Sequence, residues 1–393
     1  MVSAGRVRRI RIALLLGALA LFALLYAPQP VLPQLAGEYG LSPGSAALLV
    51  SAATLGLAVS AIPLGTLSEA VGRRRTMITS LIVAELLGLV LPWVHSFPLM
   101  VGLRLVQGAA VAGLAAVATA YLADETGGVR LGATVGLYVA GTTIGGMTGR
   151  LLGGIVGDFW GWSGGVLAVG LLGAVCTVAF VVLLPSEQHH QRKPLRWRPL
   201  LSGLGAALRD PGLYPPYLVA ALGMGSFVTV YNVLGFRITA PPLLLPPALA
   251  ALAFLAYAAG TVTSALAGRA ADRWGRVRVL LTSLAVAVAG LLLMLPDSVP
   301  VILIGLVVFT GGFFGAHSVA NGWVGTRASK EARGQASALY QLAYYGGSSV
   351  GGVLGGMAYG AWGWPGMTLL LGIWLALAAL AVTFSRRQPA PPC

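Results

Sequence analysis

Four ionisable side chains stand inside long apolar runs of this 393-residue chain: Glu85, Arg104, Arg150 and His317. Such groups are costly where water is scarce, so each needs a partner or a task. Glu85, the only acid well inside a run, either carries a proton reversibly or pairs with a cation such as Arg104. Arg104 has Gln107 three residues on, and the two share a helical face as a positive, hydrogen-bonding patch. His317, with Asn321 one turn on, either carries a proton, its ordinary pKa being near 6.5, or packs as a neutral hydrogen-bonded imidazole. Arg150 lies near the end of its run, where it binds a partner or snorkels to the surface. Polar and aromatic groups also recur at close helical spacing: Tyr26 with Gln29, Tyr231 beside Asn232, and Gln341 with Tyr344 and Tyr345.

The elements that must position these residues are membrane helices. The chain is 57% hydrophobic and only 9% charged, with a mean hydropathy of +0.85, which excludes an ordinary soluble globule. A hydrocarbon core of about 30 Å needs about 20 apolar residues per helix. The sequence divides into twelve such spans, over 10–34, 45–66, 76–95, 97–121, 131–155 and 164–184, then 213–235, 248–268, 279–296, 299–323, 335–358 and 364–384. The runs are continuous and lack the two-residue alternation of barrel strands, so the expected class is an all-α integral membrane bundle. Arg104 then lies seven residues into its span, about 10 Å deep. The basic start "RVRRIRIALLLGALALFALL" could pass for a secretory signal, but the apolar run continues to Pro33 and it reads as the first span.

The net charge of +14 does not point to nucleic acid. Apart from Arg104, Arg150 and Arg237, the 25 basic residues fall in the N-terminus, the tail, or loops on one side of the twelve-span topology. That bias places both termini and the central linker in the cytoplasm. Cys176 and Cys393 suggest no disulfide framework, and His189 and His190 in the polar linker read as solvated; no metal or cofactor is expected.

The chain is internally duplicated. "GTLSEAVGRRRTM" at 65–77 returns as "GRAADRWGRVRVL" at 268–280: Gly268 minus Gly65, Asp272 minus Glu69, Gly275 minus Gly72 and Arg276 minus Arg73 all give 203. At an offset of 202, "WGW" at 160–162 returns at 362–364, and Tyr138, Gly145, Gly149 and Gly153 fall on Tyr340, Gly347, Gly351 and Gly355. Six spans per copy make the repeats parallel. The expected organisation is a six-helix bundle over 1–184, a linker over 185–212, and a second bundle over 213–393. In each short loop the glycines permit a tight reversal and the arginines sit at an anionic surface. Arg73 can further pair with Asp124 or Glu125, and Arg276 with Glu331. Gly141, Gly145 and Gly149 recur every four residues as a smooth stripe for close helix packing or sliding.

These features resemble the major facilitator superfamily of secondary transporters. Gly65, Leu67, Gly72, Arg73 and Arg74 match the family's loop signature, with Glu69 for Asp and Ala70 for Arg. The second copy supplies Gly268, Asp272, Arg273, Gly275 and Arg276. Arg104, Gln107 and Gly108 match the Arg-x-x-Gln-Gly motif of proton-coupled exporters. "GTTIGGMTG", Gly141 to Gly149, is similar to the antiporter motif of the fifth helix, with Gly146 for Pro and Arg150 for Gly. "GGFFGAHSVANGWVG" is similar to the arabinose-efflux-permease-like branch of bacterial inner-membrane exporters.

The resemblance implies two parallel six-helix repeats around a central cavity, working by alternating access. It implies that Arg104, Gln107, Tyr26, Gln29, Tyr231, Asn232, His317, Asn321, Gln341 and Tyr344 line the substrate path, and that Glu85 or His317 handles protons. Glu69 would sit near Gly334 and Gln335, and the loop residues would latch the halves. No acid accompanies Tyr26 in the first span, which favours a neutral or anionic amphipathic solute. The expected protein is thus a monomeric, multi-pass transporter of the bacterial inner membrane, exporting a small organic compound against protons, with proton-driven uptake as the alternative. No HExxH, Asp-rich or nucleophile-elbow motif suggests an enzyme.

Overall fold

The computed structural model describes residues 4–126, 131–188, 197–329 and 332–385. Glu331, His189, His190 and Cys393 lie outside them. The described residues are helical or in short connections. In chain order the helices are α1 (Ala4–Tyr26), α2 (Leu32–Tyr39), α3 (Pro43–Val71), α4 (Arg73–Val90), α5 (Phe97–Ala115), α6 (Ala118–Thr126), α7 (Leu131–Leu183), α8 (Trp197–Arg209), α9 (Tyr214–Thr239), α10 (Pro247–Ala251), α11 (Tyr257–Trp274), α12 (Arg276–Leu293), α13 (Val299–Arg327) and α14 (Arg333–Ser385).

Ten described helical segments are long and apolar enough to cross a membrane, and two of them run for 50 and 52 residues. Each long one is a pair. Within α7, Gly161 adopts φ 71°, and Gly165 then lies against Gly153 and Gly157. In a straight helix, residues 153 and 165 would be about 18 Å apart, so the chain has turned back. Within α14, Gly363 adopts φ 65°, and Gly225 touches both Gly351 and Trp374, again demanding a reversal. With each long one counted as two, the described residues hold twelve such segments. The other tight reversals use the same device: α3 joins α4 through Gly72 alone at φ 112°, and α11 joins α12 through Gly275 alone at φ 84°. A side chain would be strained at each.

The chain folds as two compact units, one comprising 1–40, 48–195 and 246–252, the other 41–47, 196–245 and 253–393. These follow the sequence halves except for the short segments 41–47 and 246–252, and part of the expected linker, Trp197–Arg209, is helical. In the first unit, α1 runs parallel to the first half of α7. Cβ atoms at Gly141, Gly145 and Gly149 would collide with the backbone of Leu15, Leu19 and Ala23. The second unit repeats the contact between α9 and α14: Gly347 meets Ala221, Gly351 meets Gly225 and Gly355 meets Thr229. Compared with Gly145–Leu19, Gly149–Ala23 and Gly153–Ala27, both partners shift by 202. The glycines let two backbones touch, so van der Waals contact replaces the hydrophobic drive that lipid cannot supply.

The outward faces repeat too. Leu171, Val175, Val178 and Val182 form an exposed apolar stripe on the second half of α7, and Ile373, Leu377, Leu380 and Phe384, again 202 further on, form its counterpart on α14. Such stripes are unfavourable in water and suit a lipid-facing surface.

Candidate functional site

The first unit's polar interior is organised by a break in its first span. Pro28 and Pro30 lack N–H groups, so α1 stops at Tyr26 and the chain passes through a short turn, Gln29–Val31, into α2. The carbonyl of Leu24 loses its usual donor at Pro28 and keeps a bond from the Ala27 N–H at 3.4 Å, and that of Leu25 lies beside it at the helix end. Arg104 of α5 takes them both: Nη1 donates to Leu24 O at 3.0 Å and Nη2 to Leu25 O. Its Nε donates to Leu49 O at 2.8 Å, and Nη1 also meets Gln107 Oε1 at 2.5 Å. Gln107 in turn donates to Ala84 O at 2.8 Å. The guanidinium, 1% exposed, therefore ties α5 to α1, α3 and α4. Arg104 and Gln107, expected on the substrate path, bond here to backbone carbonyls of α1, α3 and α4 and to each other.

On the other side of the break, Arg150 of α7 joins Tyr26 and Gln29. Its Cζ lies 3.9 Å from the centre of the Tyr26 ring, its Nε donates to Gln29 Oε1 at 2.5 Å and its Nη1 to Gly146 O at 2.7 Å. A Cβ at residue 146 would stand 3.0 Å from Nη1, so Gly146 makes room for the guanidinium it binds. All three side chains of the cluster are buried. Arg150 does not snorkel: it is 1% exposed, and the cation is stacked and hydrogen-bonded inside the unit.

Glu85 points elsewhere. Its carboxyl is buried against the second half of α7, where Thr177 Oγ1 lies 3.4 Å from Oε2 and the missing Cβ of Gly173 leaves a notch for it. The expected alternative, a pair with Arg104, is not formed, since the Arg104 donors serve backbone carbonyls and Gln107.

In the second unit, His317 Nδ1 lies 2.9 Å from Tyr340 Oη, and Tyr340 also approaches His317 O at 3.2 Å. The imidazole packs on Tyr344, with ring centres 4.7 Å apart, and on Phe313 at 6.0 Å. Tyr231 Oη meets Thr310 Oγ1 at 2.7 Å, and its ring contacts Phe227 and Tyr257. Asn232 is buried, whereas Asn321 and Gln341 are exposed. Tyr340, Thr310 and Phe227 were not singled out as site residues; the recurrence of Tyr138 at Tyr340 was the available signal for one of them. Arg237 donates to Met294 O, Leu295 O and Pro296 O and meets Asp297 at 3.0 Å, so it gathers the carbonyls of the connection that follows α12.

The duplicated loops differ in their partners. Arg73 Nε lies 2.6 Å from Asp124, while the neighbouring Glu125 takes Arg6 at 2.5 Å. Glu187 accepts from the backbone N–H of Arg74 beside Gly72. Glu69 is exposed, as are Asp272, Arg273 and Arg276. Arg276 stacks over Trp323 at 4.5 Å and reaches Thr326 at 3.4 Å; its expected partner Glu331 is outside the described residues. Gly65 and Gly268 sit inside α3 and α11 without tight contact. Asp210, just before α9, binds Arg327 at the end of α13, and that guanidinium holds its carboxyl below the usual carboxylate range.

Comparison with known proteins gives these features a family. The model of the Major Facilitator Superfamily matches residues 14–259 and 243–392. The Inner membrane transport protein YnfM of Escherichia coli is 38% identical over 380 residues, covering 97% of this chain and 91% of that protein. The Uncharacterized MFS-type transporter YybF of Bacillus subtilis is 34% identical over 375 residues, covering 94% and 93%. Among solved structures, the nucleoside transporter NupG aligns with a TM-score of 0.80 at 14% identity over 96% of this chain and 99% of that one. A bacterial homolog of the human lysosomal transporter Spinster, inward-facing and unoccupied, gives 0.77 at 16% identity over 98% of each. At those identities the structures speak for the fold alone. The matching family model, the relatives that span nearly the whole chain and the duplicated helical architecture agree: this chain belongs to the Major Facilitator Superfamily and is a multi-pass membrane transporter, not an enzyme.

Proposed function

We propose that the protein is a proton-coupled exporter of a small organic compound, resident as a monomer in the bacterial inner membrane with both termini cytoplasmic. The observation that carries this reading is the Tyr26–Gln29–Arg150 cluster: a stacked guanidinium and an amide, buried at a helix break within an apolar bundle, offer a solute directional recognition away from water. Tyr231, Asn232 and Tyr344 extend the substrate path, with His317, Asn321 and Gln341 beside it; Arg104 and Gln107 hold the broken helix in place. Glu85 or His317 carries the proton, each being a titratable group inside a span. The loops act as gates, Gly65, Glu69, Gly72, Arg73 and Asp124 in the first copy and Gly268, Asp272, Arg273, Gly275, Arg276 and Glu331 in the second. The Gly141–Gly145–Gly149 stripe supplies a smooth contact that tolerates small shifts.

Everted vesicles made acidic inside test the reading. Addition of neutral, anionic and cationic organic compounds should alkalinise the lumen for one class in vesicles holding the wild-type protein, and the response should be lost with Glu85→Gln or with His317→Phe. Alkalinisation that persists in both variants removes these two groups as carriers. A proton flux of the opposite sense on addition of solute to right-side-out vesicles would assign uptake instead.

A further inference from the structure

Most aromatic rings of the second unit have non-aromatic counterparts in the first, and packing explains only some of them. Phe313 and Phe314 of α13 lie against Gly223 and Gly260. At the matching places of the first repeat the rings are Val111 and Ala112, and the glycines are Leu21 and Leu57. Large and small side chains have changed places, so the core keeps its volume. His317, Tyr344 and Tyr345 are different. They are half-buried, and so are their counterparts Ala115, Thr142 and Thr143. The same partly open positions thus hold an alanine and two threonines in one repeat and three rings in the other, and the fold does not need the rings.

From this arrangement we infer that His317, Tyr344 and Tyr345 form a stacking subsite and that the transported solute carries a planar aromatic ring. Aromatic pairs attract in offset or edge-to-face contact with centres about 4.5–7 Å apart. The three rings already stand so to one another: His317 and Tyr344 at 4.7 Å, Tyr344 and Tyr345 at 5.0 Å and 87°. A further ring that stacks on one tyrosine therefore meets the other edge-on. The buried Tyr340 fixes the imidazole from behind through Nδ1. Asn321 and Gln341, both exposed, lie one helical turn from His317 and from Tyr344 and Tyr345. Exposed amides inside a span are unfavourable against lipid, so this face suits water and a solute with polar substituents. The inference rests on the reading of these residues as part of the substrate path, and it is independent of proton coupling and of the solute's charge.

Binding to the purified protein in detergent tests it without any proton gradient. Thermal unfolding is followed with naphthoate, naphthamide and naphthylmethylamine, each against its fully saturated decahydro counterpart, for wild type, Tyr344→Leu and Tyr344→Phe. At least one aromatic compound should bind the wild type at least tenfold more tightly than its saturated counterpart. In Tyr344→Leu that preference should collapse toward one, and Tyr344→Phe should keep most of it. Unliganded melting temperatures report whether each variant folds, and the comparison of aromatic with saturated compounds on the wild type decides even if Tyr344→Leu does not. Equal response to aromatic and saturated compounds, no response to any aromatic compound, or a preference unchanged in Tyr344→Leu overturns the inference. So does an equal loss of both members of a pair in Tyr344→Leu, which would make the tyrosine a packing residue only. If aromatic compounds bind as expected but vesicles show no proton flux, the coupling fails and the ring subsite stands; if aromatic and saturated compounds drive equal flux, the transport reading stands and the ring subsite fails.

Discussion

Arg327 grips Asp210 with two parallel bonds, Nε to Oδ2 and Nη2 to Oδ1, both 2.9 Å long, at the place where the first repeat sets Arg6 against Glu125 with the signs exchanged. Arg327 minus Glu125 is 202 and Asp210 minus Arg6 is 204. In both repeats the pair ties the start of the first span to the end of the fourth. The two repeats thus fill the position with an ion pair of reversed polarity.

The pair makes stability depend on pH. The folded carboxyl of Asp210 titrates below its unfolded value, held down by Arg327 and by the Gly212 N–H. Its contribution is thus present above the unfolded carboxylate pKa, about 3.9, and is lost as pH falls through the depressed folded value. Asp210→Asn should lower the melting temperature at pH 7 and make no difference at a pH below both values. The exchange Asp210→Arg with Arg327→Glu should recover most of the loss, and failure to recover it would show that more than the charge pair is at stake.

Arg104→Gln should chiefly unfold rather than disarm the protein. It removes the Arg104 donor from Leu25 O and leaves Leu24 O with only the Ala27 N–H at 3.4 Å, at about 1–3 kcal/mol for a buried unsatisfied group. Fluorescence-detected size exclusion and thermal unfolding should show a smaller folded fraction; a variant of normal stability that fails only to bind solute would return Arg104 to a solute-contact role.

Gly145→Ala places a methyl against the Leu19 backbone and should cost about 1–3 kcal/mol by overpacking. Gly102→Ala, in the open, should be neutral or slightly stabilising because alanine favours the helix. Melting temperatures of the two variants, measured side by side, check this.

Gly173→Ala intrudes on the Glu85 carboxyl, so the two sites should be coupled. Gly173→Ala alone should destabilise, and adding Glu85→Ala should recover about 1–2 kcal/mol of that loss. Additive effects in a double-mutant cycle would mean that the notch has closed over other atoms.

The sequence by itself determined the twelve spans, the duplication, the glycine reversals and the loop signature, since each is written in local pattern: run length, offset and residue type at fixed spacing. Gly161 and Gly363 were visible as repeated "WGW" motifs before their φ angles made them turns. Tertiary structure alone decided what each buried charge does. Arg104 and Gln107 share a helical face, as their spacing requires, but the acceptors that occupy Arg104 belong to Leu24, Leu25 and Leu49, and no spacing on α5 encodes them. Tyr26, Gln29 and Arg150 are brought together across more than 100 residues because Pro28 breaks one helix beside a glycine-lined face of another. The partition of Asp124 to Arg73 and Glu125 to Arg6 is likewise a matter of which guanidinium arrives at which oxygen. A helical pattern fixes the face a side chain shares, and only packing fixes what that face meets.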